Sequence, residues 1–201
     1  MNYIIEEIED NLVELMTDNY GNYFCKALIK YLQVHQRIHL LKKITGEKFI
    51  KISCNNRGTW ALQEFILFIT EREEYDIIKE NLMVNDNVRR LAMDKEGEHL
   101  IQKIIETFSV EDKQYVFDKL MENFETLAKD KNGLCVMKKL IETTKTADNQ
   151  RTIVELIKTK AKEYTQNEFG NFVVSEVMQK FDYEIFKDIY QCLNGSYVTL
   201  S

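Results

Sequence analysis

The segment Asp94-Lys-Glu-Gly97-Glu-His-Leu-Ile-Gln-Lys-Ile-Ile105 decides the fold of this chain, because its pattern returns four more times. In every copy an Asp or Asn stands three residues before a Gly, and an amphipathic run follows that glycine. The glycines are 36 to 39 residues apart. A period of this length is typical of a solenoid, in which each unit buries its apolar face against its neighbours. The five pairs are Asp18 and Gly21, Asn55 and Gly58, Asp94 and Gly97, Asp130 and Gly133, and Asn167 and Gly170.

The composition of the 201-residue chain suits one elongated helical array. It has no proline, 30% charged residues and 44% hydrophobic residues, as in soluble helical proteins. The net charge of −6 argues against a general binder of polyanions, although a solenoid can concentrate positive charge on one surface. No apolar run approaches the roughly 18–20 residues that span a bilayer, and the first residues lack the features of a signal peptide. We therefore expect a soluble cytoplasmic protein with no membrane partner, the nucleus or nucleolus being the alternative location.

The residues after each repeat glycine predict an α-helix. Apolar side chains fall three, four, seven and eight positions after the glycine, which is one stripe of a helix. The Asp or Asn before the glycine is placed to accept hydrogen bonds from the free N–H groups of the first turn. The stripes are Phe24, Cys25, Leu28 and Ile29; Ala61, Leu62, Phe65 and Ile66; Leu100, Ile101, Ile104 and Ile105; Val136, Met137, Leu140 and Ile141; and Val173, Val174, Val177 and Met178.

A second apolar stripe precedes each capping residue, as at Ile77, Ile78, Leu82, Val88 and Leu91. Each unit is therefore predicted to contain two helices, joined by a short junction that carries the Asp or Asn and the glycine. Glycine costs about 1 kcal/mol relative to alanine inside a helix. Its recurrence in the opening turn predicts a close approach by a neighbouring helix or by a ligand.

The position two residues after each glycine, called here the ring position, is predicted to point away from the core. With about 100° between successive residues, it lies almost opposite the apolar stripe. Four of its five occupants are flat rings, which either fill gaps between adjacent repeats or form a platform on which planar groups stack. Successive nucleobases are the planar groups that best fit such a platform. The ring positions hold Tyr23, Trp60, His99, Cys135 and Phe172.

The positions one and five residues after the glycine flank each ring position and are called here the edge pair. A polar pair beside a ring can bond the edge of a base while the ring stacks on its face. One repeat would then read one base. The edge pairs are Asn22 and Lys26, Thr59 and Gln63, Glu98 and Gln102, Leu134 and Lys138, and Asn171 and Ser175.

These helices resemble the motif of the Pumilio, or PUF, family of RNA-binding proteins. That motif is a glycine, then Asn, Cys, Ser or Thr, then Tyr, Arg or His, and then Val-Ile-Gln-Lys. The resemblance covers essentially the whole chain, and the order of the variants is similar to the third to seventh repeats of an eight-repeat array. The matching segments are Gly21-Asn-Tyr-Phe-Cys-Lys26, Gly58-Thr-Trp-Ala-Leu-Gln63, Gly97-Glu-His-Leu-Ile-Gln-Lys103, Gly133-Leu-Cys-Val-Met-Lys-Lys139 and Gly170-Asn-Phe-Val-Val-Ser175.

The resemblance implies an all-α fold, a curved α-solenoid whose concave face is lined by the second helix of each repeat. It implies that single-stranded RNA lies antiparallel to the chain, with ring positions stacking on bases and edge pairs reading them. It also implies post-transcriptional regulation of mRNA, through binding of the 3′ untranslated region and control of translation or decay. Protein effectors are then expected on the convex face.

Two of the edge pairs keep much of the family's pattern. The resemblance associates Thr59, Trp60 and Gln63 with adenine, and Asn22 with uracil. Lys26 stands where the family's uracil readers have Gln, and an ammonium is better suited to a phosphate or a carbonyl. We therefore expect the target RNA to contain U and A.

The other three edge pairs depart further from the family. Glu98 would favour a base amino group and repel phosphate, while Leu134 and Cys135 retain almost no reading chemistry. Asn171 and Phe172 keep the ring and half of the edge pair. These departures leave two alternatives to specific mRNA binding. One is a protein-interaction scaffold that has lost RNA reading, and the other is a PUF-like ribosome-assembly factor that binds RNA with less specificity.

The spacing also predicts the repeat boundaries and the end of the array. Leu193–Ser201 resembles Ile44–Ser53 with one residue deleted, so the next repeat glycine would come just beyond the last residue. We expect that the chain ends inside a sixth unit, either because it is truncated, which we favour, or because its terminal cap is a half-repeat. The predicted single array, residues 1–201, has approximate units 1–33, 34–71, 72–109, 110–146 and 147–182, with a partial unit 183–201.

No other pattern in the sequence predicts a catalytic, metal or cofactor site. His35 and His39 have a spacing that some metal sites use, but no Cys, Asp or Glu lies in register with them, so we interpret them as solvated. Glu71, Glu73 and Glu74 are interpreted as a solvated repeat junction. The four cysteines lack a CxxC spacing and are interpreted as reduced, packed thiols. Without a phosphate-binding glycine loop or a nucleophile motif, we predict neither an enzyme nor a small-molecule substrate.

Overall fold

A computed structural model describes residues 2–193, and these residues form helices joined by short loops, without a strand among them. The chain divides into two compact units, Met1–Tyr115 and Val116–Ser201, and the boundary falls inside one helix. Residues 194–201, on which the expected sixth unit depends, lie outside the described residues. None of the described helices is long and apolar enough to cross a membrane.

The helices follow a repeating order of one long helix, one short helix and one helix that begins at or near a repeat glycine. The first unit contains α1 (Asn2–Ile8), a 3-10 turn (Glu9–Asn11), α2 (Leu12–Thr17), α3 (Gly21–Ile29), α4 (Val34–Lys43), α5 (Glu47–Ser53), α6 (Gly58–Phe68), α7 (Arg72–Met83), α8 (Asn87–Ala92), α9 (Gly97–Thr107) and the start of α10 (Val110–Glu122). The second unit contains the rest of α10, α11 (Phe124–Ala128), α12 (Lys131–Thr143), α13 (Ala147–Thr159), α14 (Ala161–Gln166), α15 (Gly170–Lys180) and α16 (Tyr183–Leu193). The helices that carry the ring positions, called ring helices below, are α3, α6 and α9 in the first unit and α12 and α15 in the second.

The prediction of two helices per repeat is wrong, because the stripe before each cap is divided between a long and a short helix. In the third repeat, Asn85 and Asp86 separate α7 from α8 and have positive φ angles of 50° and 58°. A left-handed backbone cannot continue a right-handed helix, so α7 ends before these residues. The stripe residues on both sides of the break, Leu82 and Val88, are fully buried all the same. Periodicity alone therefore does not reveal the break.

The five predicted helix caps are confirmed. Asp130 Oδ1 accepts from the backbone N–H groups of Asn132 at 2.9 Å and Gly133 at 2.8 Å. The other four capping residues accept from the equivalent two N–H groups at 2.7 to 3.0 Å. At Asp18 the bonds from Gly21 and Tyr20 hold the pKa of the carboxyl below its ordinary value. The caps satisfy N–H groups that a helix start leaves without partners.

Close approach by a neighbouring helix explains the repeat glycines. A Cβ at Gly133 would lie 2.4 Å from the carbonyl oxygen of Leu127, and one at Gly58 would lie 2.6 Å from that of Ile52. Both carbonyls belong to the short helix that precedes the ring helix. Of the two causes left open by the sequence, a neighbouring helix or a ligand, the backbone contact assigns the helix.

The apolar stripes that follow the repeat glycines are buried except at two positions, Phe24 and Met178. Phe24 is 45% exposed, whereas the equivalent side chains in the later repeats are buried. The ring helices of the first unit pack in order, α3 against α6 and α6 against α9. Among the described residues no earlier ring helix lies beside α3, so the side of α3 that carries Phe24 stays open.

The interpretation of the junction at Glu71, Glu73 and Glu74 as solvated is wrong for Glu74, whose side chain is fully buried. Arg37 of α4 donates to it twice, from Nε to Oε1 at 2.7 Å and from Nη2 to Oε2 at 3.1 Å. The backbone N–H groups of Thr70 and Glu71 also donate to Oε2, at 3.0 and 3.1 Å. Burial alone would raise the pKa of Glu74, but these donors hold it below its ordinary value. The junction thus contains a buried ion pair that joins α4 to α7.

None of the four cysteines, all within the described residues, forms a disulfide, and only some of them are packed. Cys25 is buried and Cys54 is partly buried, as predicted. Cys135 and Cys192 are exposed, so the prediction of packed thiols is wrong for these two.

Candidate nucleic-acid interface

The ring positions of the first unit lie on the open side of their helices, as predicted. Tyr23 and Trp60 are 62% and 52% exposed, and the side chain of His99 is 47% exposed. The apolar stripes of α6 and α9 are buried, so packing of these helices does not require the rings. Because α3, α6 and α9 pack side by side, the three rings form a series across neighbouring helices. This arrangement favours a stacking platform over the alternative of rings that fill gaps between repeats.

The second unit carries one ring and one thiol at the corresponding positions. Phe172 on α15 is 50% exposed, and Cys135 on α12 is exposed as well. The two helices pack against each other through the buried side chains of their apolar stripes. Of the two ring positions in this unit, only Phe172 offers an aromatic face.

In the second repeat the two side chains of the edge pair contact each other. Gln63 Nε2 donates to Thr59 Oγ1 at 3.3 Å. Thr59 is buried and Gln63 is partly buried, beside the exposed ring of Trp60. The hydrogen bond orients the Gln63 amide next to a ring on which a planar ligand can stack.

The edge pair of the third repeat contains a buried carboxylate. Gln102 Nε2 donates to one oxygen of Glu98, and His99 Nδ1 lies 3.0 Å from the other. Burial raises the pKa of Glu98, and the nearby charge of Glu96 adds to this, while His99 and Gln102 act in the opposite direction. Both oxygens of the predicted reader are therefore engaged within its own helix.

The first repeat shows a contact that sequence reasoning missed. Lys26 Nζ lies over two rings at once, 5.8 Å from the centroid of Tyr23 and 5.5 Å from that of Trp60. From sequence alone, the expected partner of Lys26 is only a phosphate or a carbonyl of a ligand. The signal that could have predicted the contact is the repeat itself, because position five of one ring helix and the ring position of the next face the same gap.

The edge pairs of the second unit are less complete. Lys138 Nζ lies 3.6 Å from Oε2 of Glu176, and Leu134 offers no polar group. Asn171 uses its amide nitrogen within the chain, donating to the carbonyl oxygens of Asn167 at 2.8 Å and Glu168 at 3.1 Å. Ser175 is partly buried on the same helix. This unit therefore presents less chemistry for reading a base than the first.

Comparison with protein-family models matches this chain to the Pumilio-family RNA-binding repeat at residues 11–45, 87–121 and 123–157, about half of its length. A Pumilio domain-containing protein of Schizosaccharomyces pombe is 32% identical over 176 residues, which are 88% of this chain and 25% of that protein. The chain spans about a third of the length of the curated relatives it matches.

Solved structures show the same fold. The Puf4 RNA-binding domain bound to the 3′ UTR recognition sequence of HO endonuclease RNA has a TM-score of 0.89 and 31% identity, over 98% of this chain and 61% of that one. The RNA-binding domain of yeast Puf5p bound to AAT2 RNA has a TM-score of 0.87 and 26% identity, over 100% of this chain and 57% of that one. The predicted fold class, an all-α solenoid of Pumilio-type repeats, is confirmed by these matches.

Proposed function

Because this chain belongs to the Pumilio family of RNA-binding repeat proteins, we propose that it binds single-stranded RNA along its ring helices, without acting as an enzyme. The observation that carries the proposal is the exposure of Tyr23, Trp60, His99 and Phe172, four rings that the packing of their helices leaves open. A base stacked on an aromatic side chain contributes about 1–3 kcal/mol. The complexes of Puf4 and Puf5p with RNA support the same conclusion.

The biological role follows from the kind of RNA bound. Single-stranded segments with unpaired bases occur in messenger RNA, and the Puf4 complex contains a 3′ UTR sequence. We therefore propose that the protein acts in the cytoplasm, on U- and A-containing sites in 3′ untranslated regions, to control translation or decay. Effector proteins would be recruited by surfaces other than the ring helices.

The test of this function is the selection of bound sequences from a random pool of single-stranded RNA. We expect the wild-type protein to enrich a short motif and Trp60→Ala to enrich it weakly or not at all, because the largest ring of the platform is gone. Salt dependence then reports the phosphate contacts, since each one steepens the fall of affinity with salt. A pool that shows no enrichment with the wild-type protein contradicts the proposal.

For the selected RNA, Trp60→Ala is expected to weaken binding by about tenfold to thirtyfold, the loss of one base–ring stack. Trp60 is the single tryptophan of the chain, so base stacking should also quench the fluorescence of the wild-type protein. Titration followed by fluorescence and by anisotropy of labelled RNA measures both effects. The control is Tyr31→Ala, which removes another exposed ring of the first unit from a loop outside the ring helices. An equal loss in the two variants would contradict stacking at Trp60.

The buried carboxylate of the third repeat gives a second prediction. Glu98→Gln should strengthen RNA binding about threefold, because it removes a negative charge from the binding face while a side-chain oxygen is kept for the bond from Gln102. The control is Glu96→Gln, the same change of charge two residues away on the capping turn. The affinities of the two variants for the selected RNA, measured at one salt concentration, separate an effect of the position of Glu98 from an effect of net charge. If both gain equally, net charge and not the position of Glu98 is responsible.

The second unit favours one alternative function, a protein-interaction scaffold. Its α12 exposes Cys135 in place of a ring and pairs Lys138 with Glu176, which leaves little for a base to contact. A scaffold needs no RNA, so it would show neither enrichment from the pool nor quenching of Trp60. A PUF-like ribosome-assembly factor would instead bind many sequences with similar affinity and a steep salt dependence.

A further inference from the structure

The slot between Tyr23 and Trp60 contains a positive charge. Both centroid distances of Lys26 Nζ, 5.8 and 5.5 Å, fall within the range of about 6 Å over which a cation is attracted to a ring face. No carboxylate of the described residues lies within ion-pair distance of this ammonium. Lys30, directly after the end of α3, pairs with Glu64 at 3.4 Å. The ammonium of Lys26 is therefore free to contact a ligand that enters the slot.

The other member of the edge pair, Asn22, can offer only an acceptor. Its Nδ2 donates to the backbone carbonyl oxygens of Asp18 at 2.8 Å and Asn19 at 3.1 Å, which uses both amide hydrogens. Two carbonyl partners also exclude the flipped amide, because Oδ1 cannot bond to them. No group within residues 2–193 donates to Asn22 Oδ1. The groups that this edge pair leaves for a base are thus the donor hydrogens of Lys26 and the Oδ1 acceptor of Asn22, a residue that is only 3% exposed.

We propose, on the basis of the RNA-binding function above, that the Tyr23–Trp60 slot selects guanine. Guanine presents N7 and O6 side by side, and a lysine ammonium can contact both. The N1–H group next to O6 is a donor that suits Asn22 Oδ1. Uracil offers the keto oxygen and the N–H but has no N7. Adenine and cytosine place an amino donor where guanine has O6, which opposes a second donor from Lys26.

The corresponding lysine of the fourth repeat provides a contrast within the same chain. Lys138 occupies the same position of its ring helix, but its Nζ lies 3.6 Å from Oε2 of Glu176. The ring position of its repeat holds the thiol of Cys135. A carboxylate neighbour reduces the charge that the ammonium can offer, and no stacked base is held beside it. Lys26 alone of the two combines an uncompensated charge with aromatic walls.

The experiment starts from the RNA selected by the wild-type protein. Each position of that RNA is replaced in turn by G, U, A, C or 7-deazaguanine. The nucleotide that occupies the slot is the one whose base preference disappears in Tyr23→Ala. At that position we expect guanine to bind about tenfold more tightly than the other natural bases, and 7-deazaguanine to lose part of this advantage. Lys26→Gln should lose the preference for guanine, and the control Lys138→Gln should keep it.

Three outcomes would overturn the inference. One is tighter or equal binding of uracil, adenine or cytosine at the slot, and another is binding of 7-deazaguanine as tight as that of guanine. An equal loss for all bases in Lys26→Gln, with a shallower salt dependence, would assign Lys26 to a phosphate. The failure of the proposed function is separate, because a protein that binds no RNA from the pool never reaches this comparison.

Discussion

Arg37→Ala is expected to lower the free energy of unfolding by about 3–5 kcal/mol, the cost of leaving a buried charge without its partner. The Glu74 carboxylate is fully buried and receives two of its bonds from the Arg37 guanidinium. Arg37 also donates to the carbonyl oxygen of Leu32 at 3.0 Å and to Thr70 Oγ1 at 3.3 Å, so its removal leaves further polar groups unpaired. Urea unfolding followed by circular dichroism measures the change.

A matched control is available between the same two helices. Lys42 of α4 pairs with Glu73 of α7 at 2.6 Å, but both side chains are more than half exposed. An exposed ion pair contributes about 0–1 kcal/mol, so Lys42→Ala should change stability little. Replacing both buried partners, Arg37→Met with Glu74→Leu, should restore most of the stability lost in Arg37→Ala. If Arg37→Ala and Lys42→Ala destabilise equally, the buried pair has no special role.

The pH dependence of stability gives an independent check on Glu74. Its pKa in the folded protein is below the ordinary value of 4.5, despite burial, because Arg37 and two backbone N–H groups stabilise the charged form. The contribution of Glu74 is therefore fully present above about pH 4.5 and is lost as the pH falls through the lower folded value. Compared with Glu74→Gln, the wild-type protein should lose more stability between neutral and acidic pH. Parallel pH profiles of the two proteins would contradict this assignment.

The sequence predicts what depends on local spacing and misses what depends on contacts between repeats. The caps at Asp18 and Asp130 and the open side of Trp60 follow from positions within one helix, and the structure confirms them. The sequence favours a solvated Glu74 because this residue stands at a repeat junction. Its separation from Arg37 equals one repeat period, so both occupy the same register in consecutive units. That relation is visible in the sequence only after the repeat is used to compare charged positions.

In the candidate site, too, local spacing predicts some features and contacts with neighbouring groups decide the others. The ring positions are predictable because each is opposite a buried stripe, as Trp60 is to Leu62 and Phe65. The chemistry of Lys26 and Glu98 is not predictable from spacing, because it depends on which groups of the next helix or the next turn lie near them. Lys26 meets a ring from α6, and Glu98 is buried against groups of its own helix. Residue type at a fixed offset therefore indicates where a ligand lies more securely than it indicates which ligand is read.

Gly133→Ala is expected to destabilise the protein by about 3 kcal/mol, the upper part of the range for overpacking a buried position. At an open helical site the same change would stabilise by about 1 kcal/mol, because alanine is the better helix former. Here the new Cβ would lie 2.4 Å from the carbonyl oxygen and 2.8 Å from the Cα of Leu127. Both atoms belong to the backbone, so the clash can be relieved only by moving α11 away from α12. Urea unfolding followed by circular dichroism measures the loss.

The comparison with Gly97→Ala tests the cause, because the two glycines share a position in the repeat and differ in what the Cβ meets. At Gly97 the nearest atoms are Leu91 Cδ2 and the Leu91 carbonyl oxygen, both at 2.9 Å. A side-chain methyl can move by rotation, and the oxygen is half an ångström further away than at Gly133. We therefore expect Gly97→Ala to cost clearly less than Gly133→Ala. Equal costs would mean that the contact of the new Cβ with the Leu127 backbone does not determine the loss of stability. A stabilised Gly133→Ala would mean that the short helix moves away from α12 at no cost.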